Sequence, residues 1–105
     1  MEQATYPDEL LALVAKRIPD EMISVFSEIW NHWDDHETGI TWTSLVQIIN
    51  DRYIVEKALL LLETTGFVSV ESSPLDRRSK RYMPDPARGI QLAKFIRDQK
   101  IIRNS

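Results

Sequence analysis

The hydrophobic period of the chain changes at Gly66. Before it, apolar residues recur at helical spacing; directly after it, "FVSVE" (67–71) alternates, with Phe67, Val68 and Val70 apolar. A period near 3.6 marks a helix that buries one stripe, and a period of two marks a strand that buries one face. Glycine readily takes the left-handed conformation that ends a helix. The chain is therefore expected to run as helices up to Gly66 and to enter a strand at once. A short strand needs a partner. "KRYM" (80–83) supplies it, across the turn chemistry of "SSPLDRRS" (72–79). A two-stranded hairpin does not stand alone in water. It must pack on the helices, with Phe67 and Val68 turned inward.

Four helices are expected before the hairpin. The first is "YPDELLALVAKRI" (6–18), with Asp8 as N-cap and an apolar side of Leu10, Leu11, Leu13, Val14 and Ile18. "PDEMISVFSEIWNHW" (19–33) is the second, opened by Pro19 and carrying Met22, Val25, Phe26, Ile29, Trp30 and Trp33 at helical spacing. "DDHETG" (34–39) reads as a polar stop. The third covers 40–50, with Thr41 or Thr43 as cap, and the fourth 51–67, capped by Asp51. Two helices joined by so few residues, the second longer, form the helix-turn-helix pattern. A final helix follows the hairpin over 84–103, with Asp85 at the N-cap and Pro86 at the first helical position. The expected fold is mostly α with a small two-stranded β-hairpin: one winged helix-turn-helix domain over residues 1–105, its terminal helices serving a dimer.

Composition narrows the function. There is no cysteine, which excludes disulfides and thiolate chemistry. The three glycines form no phosphate-binding loop. No apolar run approaches the length of a membrane span, and the acidic start lacks the basic region of a signal peptide. A cytoplasmic location is expected. No nucleophile–base pair or carboxylate dyad in an apolar setting points to catalysis.

Charge is segregated. Residues 1–39 carry nine acids and two bases, whereas 40–105 carry seven acids and eleven bases. The densest cluster is "DRRSKR", where Arg77, Arg78, Lys80 and Arg81 occupy four of five positions. It falls at the tip and return strand of the hairpin. Cations at the end of a rigid hairpin suit the phosphates of duplex DNA, because each contact releases counterions. A solvated turn with a weak Asp–Arg pair is the plainer alternative.

The stretch "LLLLETTGFVSVESSPLDRRSKRYMPDPARG" resembles the MarR-type winged-helix regulators. Leu62 and Gly66–Phe67 match the stop of the recognition helix, Asp76-Arg77-Arg78 matches the Asp-x-Arg of the wing, and Gly89 matches the glycine opening the next helix. The likeness spans residues 22–96. Asp85 stands where the family usually carries threonine, the interval from Asp76 to Gly89 is one residue longer, and the terminal helices are shorter. The resemblance implies a homodimeric, DNA-binding transcription regulator without a cofactor. It implies that Asp76 steadies the wing and Arg78 enters a groove, with Arg77, Lys80 and Arg81 on the backbone. An effector stays unknown.

The helix-turn-helix offers its own candidates. Arg52 could bond guanine and Glu56 could accept from cytosine, beside Tyr53 and Lys57. Thr43, Ser44 and Gln47 could hold phosphate. Against this, Asp51 and Glu56 repel phosphate, and "ALLLL" (58–62) is apolar nearly all round. The rival reading is a winged helix used as a protein-interaction module in a larger assembly, not touching DNA. Trp30, Trp33 and Trp42 fit core packing or a dimer seam better than a binding pocket. His32 and His36 have the spacing of a helical ligand pair with Asp35 between them, but no third partner is evident, so the sequence assigns no metal.

Overall fold

A computed structural model describes residues 5–72 and 80–104, with side chains through residue 98. Five helices and three short strands follow in the order α1 (Asp8–Lys16), α2 (Asp20–His36), β1 (Ile40–Thr41), α3 (Trp42–Ile49), α4 (Arg52–Thr64), β2 (Val68–Ser72), β3 (Lys80–Pro84) and α5 (Arg88–Asn104). This is a winged helix-turn-helix, and it carries one more strand than the hairpin expected. β1 pairs antiparallel with β3, Ile40 opposite Tyr82 and Thr41 opposite Arg81, so the sheet order is β1-β3-β2. Two residues ahead of a helix carry no periodic signal, so only the pairing reveals them as a strand.

Local chemistry explains most boundaries. Thr41 caps α3 by accepting the Ser44 N–H at 3.2 Å, and Asp51 caps α4 by accepting the Ile54 N–H at 3.1 Å. Gly66 takes φ +84° after α4, the left-handed position a helix stop requires. Asp85 accepts the N–H groups of Ala87 and Arg88 at 3.0 and 2.9 Å, as expected of the cap before α5.

Two expectations need correction. Pro7, not Asp8, occupies the N-cap of α1, and no side chain caps it; Asp8 and Glu9 lie in the first turn, complementing the helix dipole. The segment 34–39 is not all stop. Asp34, Asp35 and His36 continue α2, which ends when Glu37 takes φ 56° and donates its N–H to the Trp33 carbonyl at 2.7 Å. Exposed polar residues can extend a helix at little cost until the backbone turns. Gly39 serves another need. A Cβ there would lie 2.8 Å from the Cβ of Arg81, so glycine lets β1 approach β3.

One apolar core joins the elements. Val25, Phe26 and Ile29 of α2 meet Leu45 of α3, Val55, Ala58, Leu59 and Leu62 of α4, and Leu92 of α5. Phe67 and Val68 point inward, at 0% and 4% exposure. Tyr82 also enters the core, and burial together with nearby Glu63 raises its phenol pKa. α1 packs along α5. No helix among the described residues is long and apolar enough to cross a membrane.

Candidate nucleic-acid interface

α4 turns one stripe to the core and the other to solvent. Arg52, Tyr53, Glu56, Lys57 and Leu60 are all exposed. The side chains near its N-terminus are held in place. The Arg52 guanidinium lies 5.0 Å from the centre of the Trp42 ring, and its Nε lies 3.9 Å from Glu56 Oε1. The ion pair is well exposed, so its worth is orientation more than stability. The Lys57 ammonium sits 4.9 Å from the centre of the Tyr53 ring, and Tyr53 itself is 64% exposed. Each pair costs its long side chain some freedom before any ligand arrives, which lowers the ordering penalty on binding.

α3 contributes less. Thr43 and Gln47 are exposed on it. Ser44 is half-buried and belongs to the cap, its Oγ accepting the Thr41 hydroxyl at 3.0 Å. On the wing stem, Lys80 is exposed. Arg81 is tethered, donating from Nη1 to the Gly39 carbonyl at 3.3 Å. Alternation places Arg81 beside Met83 and Glu71, opposite buried Tyr82; Lys80 shares the register of Tyr82 but lies beyond the core. Asp76, Arg77 and Arg78 lie outside the described residues.

Two sets of contacts, at Trp42 and at Tyr6, escaped the sequence reading. Trp42 acts as a platform for Arg52, ten residues away, and no periodic signal marks that contact. The three tryptophans do not share a pocket: Trp30 stacks on Phe26 with centroids 6.5 Å apart, Trp42 carries Arg52, and Trp33 lines the groove that holds Arg81. Tyr6 joins α5 to the end of α4. Its backbone N–H donates to Gln91 Oε1 at 2.9 Å, Gln91 Nε2 donates back to its carbonyl at 2.8 Å, and Arg88 lies 4.9 Å over its ring.

Two depressions flank α4 and α5. A cavity of about 400 Å³ between α2 and α5 is lined by Phe26, Trp30, Ile90, Ala93, Lys94 and Ile96, among others. A groove of about 320 Å³ runs between the start of α2 and the second half of α4, walled by Pro19, Met22, Leu60 and Leu61.

The arrangement of α2, the α3–α4 pair and the β2–β3 wing recurs in solved structures. A MarR family transcription regulator superposes with a TM-score of 0.65 at 18% identity, over 91% of this chain and 64% of that one. The chain carries the winged helix-turn-helix fold of the MarR-type regulators. MarR itself superposes with a TM-score of 0.64 at 20% identity, covering 87% of this chain and 72% of MarR. MepR of S. aureus, bound to ethidium bromide, gives 0.59 at 16% identity over 93% and 76% of the two chains. This chain thus spans 64% of the length of the first of these MarR-type structures. No protein-family model and no curated protein matches the sequence. The structures it resembles are of transcription regulators, not enzymes.

Proposed function

We propose that the protein is a transcription regulator that binds duplex DNA, with α4 in the major groove and the wing along the flanking backbone. The observation that carries this reading is the preset exposed half of α4. Arg52 on Trp42 and Lys57 on Tyr53 stand on the helix that a helix-turn-helix presents to base edges. Arg52 has the fork that reads guanine, and Glu56, its ion-pair partner, has the acceptor that reads cytosine. Arg77 and Lys80 supply phosphate contacts, while Arg78 enters a groove and Asp76 steadies the wing. Thr43 and Gln47 flank the helix on the backbone side. Arg81, tied to Gly39, shapes the wing stem and contributes charge at longer range.

The protein acts as a homodimer in this reading. Leu10, Leu13 and Ile90 are 42%, 52% and 41% exposed on α1 and α5, the helices that pack together at the chain's two ends. A second copy covers them and doubles the half-site contact. Sedimentation showing only monomer at high micromolar concentration would sink the dimer.

The deciding experiment is a titration of the chain with random-sequence duplex across a salt series. DNA binding predicts an affinity that falls steeply with salt. One observation favours the rival reading. Leu60 is 69% exposed beside the apolar groove on α4, a surface better suited to a protein than to phosphate. An absence of salt-dependent duplex binding gives the interaction module the lead.

A further inference from the structure

The C-terminal end of α2 brings two imidazoles together. His32 and His36 stand one helical turn apart, with ring centroids separated by 4.6 Å and planes tilted by 53°. An imidazole nitrogen binds a divalent transition metal at about 2.0–2.1 Å, which puts the ion roughly 3.2 Å from the ring centre. Two such rings at a ligand angle of roughly 90–110° have centres about 4.5–5.2 Å apart. The observed separation lies in that range. We propose that His32 and His36 chelate one exchangeable divalent ion of the nickel, copper and zinc group.

The surroundings favour a cation. The site lies in the last turns of α2, where unsatisfied carbonyls give the helix end a partial negative charge. Asp34, Asp35 and Glu37 follow within one turn and are exposed, and Glu28 lies one turn before His32. The opposing charge is Arg81 of β3, whose guanidinium is engaged with the Gly39 carbonyl. His32 keeps a lowered pKa, from burial first and then from His36 and Arg81, with Asp35 acting the other way.

Imidazole ligands set the metal class. They suit copper, nickel and zinc and discriminate against magnesium and calcium, which want oxygen. Among the described residues, no third histidine, cysteine or carboxylate joins the pair in a ligating group. Water completes the coordination shell, so the ion exchanges freely and does not hold the fold together. Bound to the folded chain alone, it still raises thermal stability by mass action.

The test is calorimetric titration of the untagged full chain with copper, nickel, zinc and magnesium salts, alongside thermal melts. One ion per chain is expected, bound tightest for copper, with no response to magnesium. His36 is exposed, so His36→Ala leaves the fold intact by circular dichroism. It should lower copper affinity at least tenfold and remove the metal-induced rise in Tm; His36→Gln should do the same. An affinity within threefold of the parent in either variant, or no saturable copper binding below millimolar concentration, overturns the proposal. The comparison also separates the pair from adventitious binding at the chain's amino terminus, which these variants would not change.

Discussion

The Tyr6 hydroxyl donates to the Thr65 carbonyl at 2.6 Å, a bond that spans 59 positions of sequence and joins the N-terminal segment to the last turn of α4. The same ring lies 5.6 Å from that of Phe67, whose backbone begins the turn into β2. The end of α4 is therefore held from outside the helix-turn-helix. Tyr6→Phe keeps the ring contacts and leaves Thr65 short of one partner. It should cost about 0.5–1.5 kcal/mol. Chemical denaturation of the two chains checks this, and an unchanged midpoint would show that water replaces the phenol without penalty.

Gly89 should resist any side chain. A Cβ there would stand 2.8 Å from Pro84 Cβ and 2.8 Å from the Phe67 carbonyl oxygen, which accepts the Asp85 N–H at 2.9 Å. Gly89→Ala should destabilise by about 1–3 kcal/mol, because overpacked backbone cannot yield as a flexible side chain does. Thermal melts measure it. A stable alanine variant would mean that α5 can shift on the sheet.

Arg52→Ala and Glu56→Gln are expected to act on DNA in opposite directions. Arg52→Ala removes the guanine-reading fork and should cost about 1–3 kcal/mol at its preferred site, with relaxed choice at one base pair. Glu56→Gln removes a charge that repels phosphate, so it should tighten binding to random duplex. Both residues are exposed, and stability should stay within about 0.5 kcal/mol of the parent. Parallel titrations with selected and random duplexes check the pair. Identical behaviour of the two variants would remove α4 from the interface.

The wing should act on affinity more than on sequence choice. Arg77→Ala and Lys80→Ala should each weaken binding to all duplexes alike, and each should flatten the salt slope by about one for every phosphate no longer neutralised. Arg78→Ala should cost more, about 1–3 kcal/mol, if its side chain enters a groove. If all three variants bind like the parent while remaining folded, the cations at 77–80 belong to a solvated turn or to an acidic protein partner.

Caps give a stability control remote from the interface. Asp85 satisfies two N–H groups at the start of α5, and Asp85→Ala should cost about 0.5–2 kcal/mol. Its melt sets the scale against which the wing and α4 variants are judged. A loss of duplex binding in Asp85→Ala beyond that expected from its melting would implicate the α5 entry in DNA contact.

The local features of this fold were legible in the residues themselves. Asp51 and Asp85 announce helix starts because each reaches its own backbone within three positions, and of the two candidate caps for α3, Thr41 and Thr43, Thr41 is the one that does so. Gly66 announces a stop because it alone there accepts positive φ without strain. Val55, Leu59 and Leu62 identify the buried stripe of α4 by spacing, and burial bears them out at 0%, 4% and 0% exposure. Interactions across long separations were not legible. Ile40–Thr41 become a strand only because β3 arrives beside them, and Gly39 is needed only because Arg81 does. Arg52 meets Trp42, and Tyr6 meets Thr65, through the angle at which whole helices cross, which depends on the joint packing of the core. His32 and His36 have the spacing of a helical pair, but a stop at 34–39 would leave His36 outside the helix; only the continuation of α2 through His36 brings the rings to 4.6 Å. Short-range periodicity and capping thus determined the helices and the β2–β3 hairpin, and the close packing of those elements decided β1 and which side chains meet.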